Sequence, residues 1–134
     1  MTHEPGRELD MLIAEQVMGW VALPSDVPEI AHAGGLWQTP SGERMCPQFS
    51  RNIAAAWHVV ERMRALNYEF EMHRKHRNHL GQRDPKWTTT HAIFRAGLGG
   101  RDGSGVSADD AHAICLAALS AAGKVTILRS KDQR

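Results

Sequence analysis

The residues with the clearest capacity for chemistry lie in one basic segment, residues 72–86. Five arginines and lysines stand there against a single acid, Asp84, together with three of the eight histidines of the chain. Arginine suits phosphates and carboxylates because its planar guanidinium offers paired donors. The segment therefore predicts a surface that binds an anionic partner, which is RNA, DNA or an acidic face of a protein. The residues assigned to this surface are Arg74, Lys75, His76, Arg77, His79, Arg83, Lys86 and Trp87.

The same segment also has a purely structural interpretation. Charges in the connection between two strands keep an exposed sheet edge from pairing with other chains. Tyr68, Phe70 and Trp87 flank the segment, and their rings can stack on bases if they are exposed. The sequence leaves the binding and the structural interpretation open.

Histidines at a spacing of three invite a metal interpretation. The series consists of His73, His76 and His79. On a helix, residues three apart are neighbours, so at least two of the imidazoles could bind one zinc ion. Three flanking cations oppose a divalent ion, however, and a strand or loop would scatter the rings. His112 and Cys115 form a second pair, but Cys115 falls on an apolar helical stripe. We therefore expect no metal site and no cofactor.

Signals for nucleophilic catalysis are weak. The chain has no G-x-S-x-G sequence and no cysteine in an activating setting. His58 and Glu61 lie three residues apart, which predicts an ordinary surface contact on a helix. These patterns favour a protein that is not an enzyme.

A glycine-rich stretch, residues 97–105, holds five glycines in nine positions. It precedes a predicted helix, where backbone amides can hold an anion. No lysine follows in a G-K-[S/T] sequence, and Asp102, Asp109 and Asp110 would repel phosphate. We expect a mobile loop.

Apolar periodicity predicts the helices that position these residues. The first helix carries apolar residues from Leu9 to Trp20, with Gly19 as its terminator. The second helix starts near Ser50, which we expect to cap it, and runs to about Leu66.

The third predicted helix has the most regular pattern. Ser107 and Asp110 resemble a capping box, and an alanine-rich apolar stripe then runs through Ile114 and Cys115 to Gly123. Small residues along that stripe let this helix approach its packing partner closely.

Alternation and β-branched residues predict the strands. Residues 68–72 and 87–95 read as strands, 125–128 as a short third strand, and 36–46 as a small hairpin. Residues 23–35 hold prolines and adjacent glycines, which indicates irregular structure. The order predicts an α+β domain in which three helices pack on a small, mainly antiparallel sheet, in an α/β/α layered sandwich.

Four tryptophans are many for this length. Trp20 and Trp57 fall on helical stripes, which predicts core positions. Trp37 and Trp87 flank loops, which makes them candidates for an interaction surface.

Composition limits the classes of function. The 134 residues suit one domain, residues 1–134, with a flexible tail at about 129–134. The 16 basic and 15 acidic side chains exclude an acidic nucleic-acid mimic and a generally basic coat protein. No apolar run is long enough for a membrane span, and the start does not read as a signal peptide. Cys46 and Cys115 are expected to be free, buried thiols.

Three segments resemble a small bacteriophage family, the phage ABA sandwich domain. They are residues 6–20, 49–61 and 113–119, and together they cover all three predicted helices in order. The resemblance implies a phage or prophage origin and a layered α/β/α arrangement, and it implies no catalytic residues. The connection at residues 73–86 and the loop at 97–105 depart from the family pattern, so the particular function is expected there.

Together these expectations describe a non-enzymatic phage accessory protein in the host cytoplasm. Its expected partner is a host protein or ribonucleoprotein complex, and an anti-defence inhibitor, for example an anti-CRISPR protein, is the expected class. One alternative is a nucleic-acid-binding protein that uses the basic His/Arg segment. Another is a small-molecule-binding protein or enzyme with a pocket between the sheet and the third helix, near the glycine-rich loop.

Overall fold

A computed structural model of the chain describes residues 3–75, 89–97 and 100–123. The helices are α1 (Arg7–Leu12), which continues as a π-helical segment (Ile13–Val17), α2 (Pro28–His32), α3 (Ile53–Ala65) and α4 (Asp110–Ala122). The strands are β1 (Val21–Leu23), β2 (Leu36–Thr39), β3 (Gly42–Met45), β4 (Glu69–Lys75), β5 (Thr89–Arg95) and β6 (Gly103–Ser107). Within these ranges no helix is long and apolar enough to cross a membrane.

The described strands form two small antiparallel sheets where one was expected. One sheet has the order β1-β2-β3 and the other β4-β5-β6. The predicted hairpin over residues 36–46 is confirmed as β2 and β3, with Thr39 opposite Gly42. Strand β1 was missed because its three residues follow directly on a helix and are too few to show alternation. The α+β class is confirmed, while the single sheet is wrong.

The described residues form four α-helices, whereas three helices were predicted. The additional helix, α2, lies in the stretch 23–35 that was expected to be irregular. Pro28 opens it, and a proline is favourable in a first helical turn because its missing N–H has no partner there. Adjacent Gly34 and Gly35 follow with positive φ of 104° and 91°, which ends this five-residue helix. The prolines and glycines therefore indicated irregular structure, and a helix of five residues is too short to show apolar periodicity in the sequence.

The first predicted helix is confirmed, with a change of helical type near its end. The amide of Met18 donates to the carbonyl of Ile13 at 2.9 Å, a π-helical span of five residues. The side chain of Arg62 donates from Nε to the Val17 carbonyl at 3.0 Å. Gly19 then leaves the helix with a φ of 74°, as its position predicted.

The caps of the two long helices differ from those expected. The carboxamide of Asn52 accepts from Ala54 and so caps α3, with a distance of 2.9 Å. Asp109 caps α4, accepting from the amide of Ala111 at 2.9 Å. Each predicted cap therefore lies two residues too early. Ser50 contacts the distant Asp10 instead, and Ser107 accepts from the Asp109 amide and contacts the His112 ring.

The glycine-rich stretch was expected to be a loop, but its last part belongs to a strand. Residues Gly103–Ser107 form β6, which lies beneath α4. A Cβ at Gly103 would lie 2.3 Å from the Ala121 nitrogen, and one at Gly105 would lie 2.5 Å from the Ala113 oxygen. These glycines therefore allow a helix and a strand to touch through their backbones. Residues 98–99 lie outside the described residues.

The core lies between the β4-β5-β6 sheet and the helices. Thr90, Ala92 and Phe94 of β5 are fully buried on the sheet face that α4 covers. Trp20 packs partly buried against Phe49, at 5.7 Å between ring centroids.

Two of the tryptophan assignments are wrong. Trp37 is a core residue with 3% exposure, and its indole N–H donates to the Gly34 carbonyl at 2.9 Å. Trp57 is 42% exposed, because it meets only the edge of the sheet, at Phe70. Trp87, the predicted strand at 125–128 and the tail at 129–134 lie outside the described residues.

Candidate functional site

The predicted binding surface begins on a strand. Arg74 and Lys75 are the last two residues of β4, which runs three residues beyond its predicted end at Met72. The strand continues because Arg74 and Lys75 stay in register with Thr90 and Thr89 of β5. The other residues assigned to this surface, which are His76, Arg77, His79, Arg83, Lys86 and Trp87, lie outside the described residues.

Strand alternation separates the two described cations. Directly opposite residues of an antiparallel pair share one face of the sheet, and successive residues alternate between faces. Arg74 shares its face with Thr90, which is buried under α4, whereas Lys75 lies on the opposite face. The sequence treated these neighbours as one surface, and the structure does not bring them together.

Arg74 is occupied by an ion pair. Its Nε donates to Oδ1 of Asp110 at 3.3 Å, and a terminal nitrogen of the guanidinium donates to Oδ2. The hydroxyl of the buried Thr90 donates to the same carboxylate. Asp110 opens α4, where a negative charge also favours the helix dipole. The charge of the half-exposed Arg74 is thus neutralised by a carboxylate of the same chain.

The sheet face opposite α4 is the outer face of the β4-β5-β6 sheet. The side chains on this face are Glu71, His73 and Lys75 of β4, His91, Ile93 and Arg95 of β5, and Ser104 and Val106 of β6. Val106 is 54% exposed, whereas the alternate residues of β5 are buried under α4. In the described ranges, the outer face carries charged and apolar side chains that no helix covers.

Among the described residues, the ion pairs of the outer face involve Glu71 and not Lys75. The carboxylate of Glu71 accepts from Nε of Arg95 and lies 3.4 Å from Nε2 of His73. The hydrogen bond to Arg95 lowers the pKa of Glu71 and raises the pKa of Arg95. Among the described residues, no carboxylate lies within ion-pair distance of Lys75.

His73 is the one residue of the predicted histidine series that the structure describes. It is an exposed strand residue and lies directly opposite His91 of β5. Within the described part of the chain, no group of three or more potential ligands converges on a metal position.

Both cysteines are free and buried, as the sequence predicted. Burial raises the pKa of the Cys46 thiol to about 12 and holds that of Cys115 well above its usual value. Both side chains are therefore neutral thiols near pH 7, whereas a nucleophilic cysteine needs its thiolate.

One polar arrangement had not been predicted. Nδ1 of His112 lies 2.8 Å from the Ser107 hydroxyl, and Nε2 lies 2.6 Å from the carbonyl of His3. A carbonyl only accepts, so Nε2 carries a proton, and a neutral ring then accepts the Ser107 proton at Nδ1. The Ser107 oxygen also accepts from the amide of Asp109, at 3.1 Å. The arrangement ties the N-terminal arm to α4, and the contact between His3 and His112 spans 109 residues, which no local motif could show.

Two surface grooves bear on the small-molecule alternative. One, of about 420 Å³, lies beside the glycine strand and is lined by His3, Ser104, Gly105, Val106, Leu116, Leu119 and Ser120. Another, of about 850 Å³, lies beside α1 and includes Arg7, Glu8, Met11, His32 and Trp37 in its lining. Neither lining includes the Ser107–His112 pair or a buried cysteine.

Comparison with known proteins places the chain among phage proteins. The family described as the phage ABA sandwich domain matches residues 11–119. The chain is also similar in fold to a phage protein from Bacillus cereus ATCC 14579, known from a crystal structure. The two share 22% identity and a TM-score of 0.52, over 89% of this chain and 92% of the other. No curated protein matches the sequence. The match over most of its length shows that the chain belongs to the phage ABA sandwich domain family.

Proposed function

We propose that this chain is a non-enzymatic phage accessory protein that binds a host macromolecule in the host cytoplasm. Its partner is a host protein or ribonucleoprotein of a defence system. The contact surface is the basic end of the outer face, at Lys75, with the basic residues that follow it in the sequence. The observation that carries the proposal is Lys75, which has no ion-pair partner among the described residues and lies at the end of a sheet face that no described helix covers.

The chemistry of the outer face supports a protein partner. Ile93 and the half-exposed Val106 lie beside His73, His91 and Lys75, so apolar and cationic groups share one surface. Mixed surfaces of this kind are usual where one protein contacts another. An acidic, partly apolar surface on the partner fits this arrangement.

Nucleic acid is the second candidate, and one observation favours it. The sequence after Lys75 adds Arg77, Arg83 and Lys86 against one acid. Phosphate contacts release counterions, so such binding weakens steeply as salt rises. The near balance of 16 basic and 15 acidic side chains ranks this candidate second.

Capture from host lysate, followed by affinity measurement on the purified partner, tests the proposal. The variant is Lys75→Ala with Arg77→Ala and Arg83→Ala, which should weaken binding at least about tenfold. The control removes three exposed cations elsewhere, by Arg7→Ala, Arg64→Ala and Arg101→Ala, and should keep the affinity. Equal weakening by both triple variants would assign the effect to net charge and reject the surface.

Salt dependence separates the two candidate partners. A protein partner should remain bound after nuclease treatment, with a modest loss of affinity as salt increases. A steep linear fall of log affinity with log salt, together with nuclease sensitivity, would replace the protein partner by nucleic acid.

A further inference from the structure

Strand β4 is an edge strand in the described part of the chain. Its seven residues pair with β5 on one side, and the sheet order places no described strand on the other. An edge strand presents unpaired amides and carbonyls that can pair with another strand. A β4 edge of this length is therefore a template for strand addition.

An apolar surface of α3 adjoins this edge. Ile53 and Trp57 are 43% and 42% exposed, and the Trp57 ring meets that of Phe70 on β4 edge to face, at 5.8 Å between centroids. Met72, at the middle of the strand, is only partly buried. Exposed apolar groups beside an unpaired edge favour a protein contact at this place.

The charges of β4 are divided between its two ends. The strand begins with Glu69 and Glu71 and ends with His73, Arg74 and Lys75. A second copy that runs antiparallel brings the acidic half of one strand against the basic half of the other. Opposite charges directly across a strand pair are stabilising, and like charges are destabilising.

We propose that β4 pairs antiparallel with β4 of a second copy of this chain, about a two-fold axis at Met72. In this register Glu69 lies opposite Lys75, Glu71 opposite His73, and Met72 opposite its own copy. The two three-stranded sheets join into one, with α4 of both copies on the same face. Such an arrangement is the isologous pairing usual for homodimers.

Other registers are less favourable. Moving the centre by one residue toward the start of the strand places Glu71 opposite Glu71, and moving it toward the end places His73 opposite His73. A parallel, in-register pair would set every charge against its own kind. The register centred on Met72 instead places Arg74 of the second copy opposite Phe70, so no pair of like charges is formed.

This inference goes beyond the proposed function and does not depend on it. In the dimer Lys75 lies opposite Glu69 of the second copy, so this pairing would compete with the binding of a host partner at Lys75. Loss of dimerisation and loss of partner binding are measured separately, so either proposal can fail alone.

Charge reversal tests the pairing. In sedimentation of the purified full chain, the dimer fraction should rise with protein concentration and be measurable at about 200 µM, as a weak, small interface predicts. Glu69→Lys and Lys75→Glu each place like charges opposite one another twice per dimer. Each variant should weaken dimerisation by roughly 10- to 100-fold.

A complementary mixture supplies the sharpest outcome. An equimolar mixture of the Glu69→Lys and Lys75→Glu variants restores both opposite-charge pairs, so it should dimerise although neither variant does alone. The double variant should again form a homodimer. The matched controls Glu61→Lys and Arg64→Glu, on exposed positions of α3, should dimerise as the wild type does.

Disulfide trapping locates the axis. A Met72→Cys variant should form an intermolecular disulfide on oxidation, because residues directly opposite lie within disulfide range. Glu69→Cys should not, because its opposite residue is Lys75. A monomeric wild type at 200 µM, dimers that both charge reversals leave intact, or equal trapping at positions 69 and 72 would overturn the proposal.

Discussion

Arg74 of β4 donates from Nε to Oδ1 of Asp110, at 3.3 Å, and so joins the edge of the sheet to the start of α4. The same carboxylate accepts from the hydroxyl of Thr90, which is fully buried. Asp110 therefore satisfies a buried donor and neutralises a cation that the sequence had assigned to partner binding.

Replacing Asp110 by alanine should lower the free energy of unfolding by about 1–2 kcal/mol, since the Thr90 hydroxyl loses its acceptor and α4 loses an acid in its first turn. Urea unfolding measures the change. In the double variant Thr90→Val, Asp110→Ala, the loss of unfolding free energy should be smaller than the sum of the losses in the two single variants, because no buried hydroxyl is then left without an acceptor. Strict additivity would show that the hydroxyl and the carboxylate are not coupled.

Asp10 anchors the N-terminal helix to the start of α3. Its carboxylate is 1% exposed and accepts from the Ser50 amide at 2.7 Å, from the Ser50 hydroxyl at 2.6 Å and from Arg51 at 2.9 Å. Asp10→Ala leaves the buried Ser50 amide without its acceptor, while the Ser50 hydroxyl can still donate to the Gly6 carbonyl at 3.3 Å. The loss should be about 2–3 kcal/mol of stability. Glu8→Ala, an exposed acid in the same helical turn, is the control and should change unfolding by less than about 0.5 kcal/mol. Equal urea unfolding midpoints for the two variants would show that the buried contacts of Asp10 do not stabilise the fold.

Gly105 should not tolerate a side chain. A Cβ there would lie 2.5 Å from the Ala113 oxygen and 2.7 Å from the Ala117 nitrogen, so Gly105→Ala must push α4 away from β6. We expect a loss of about 2 kcal/mol or more by thermal or urea unfolding. Gly97→Ala is the matched control, because nothing lies within 4 Å of its added Cβ. Similar stability for both variants would contradict the close contact between α4 and β6.

Buried thiols predict how stability changes in alkali. The folded-state pKa of Cys46 is about 12, above the ordinary value of 9.0 from which an unfolded thiol titrates. The unfolded chain therefore loses this proton first, so stability is full below about pH 9 and falls as the pH rises toward 12. Each such thiol contributes a slope of at most about 1.4 kcal/mol per pH unit. The urea midpoint of Cys46→Ala should accordingly fall less between pH 8 and pH 10.5 than that of the wild type, and parallel curves would exclude the effect.

Local sequence signals predicted those parts of the fold that depend on neighbours in the chain. The long helices α3 and α4 follow from apolar spacing, and the β2–β3 hairpin follows from its turn residues. The cap of α3 was misplaced because Ser50 is held by the distant Asp10. A contact between residues that are 40 positions apart cannot be predicted from a short stretch of sequence.

Tertiary packing decided the features that sequence reasoning missed. Glycines at 103 and 105 are typical of a loop in local terms, yet here they let a strand lie directly under α4. Trp37 flanks a turn in the sequence but fills the core in the fold.

The candidate site shows the same limit. A run of basic residues does not reveal which cations share a face until the strand and its register are known. Because β4 extends to Lys75, its side chains alternate between the two faces of the sheet. Arg74 therefore lies on the face of Asp110, and Lys75 lies on the opposite, exposed face. The sequence therefore predicted cationic character correctly at both positions but could not separate the paired cation from the free one.

The affinity of the purified host partner for the Lys75→Ala, Arg77→Ala, Arg83→Ala variant tests the central claim most directly. Titration calorimetry against the wild type and against the Arg7→Ala, Arg64→Ala, Arg101→Ala control gives the comparison. The account predicts a dissociation constant at least about tenfold higher for the first variant alone, with unfolding midpoints unchanged. Wild-type affinity in that variant would contradict the assignment of partner binding to the basic end of the outer face.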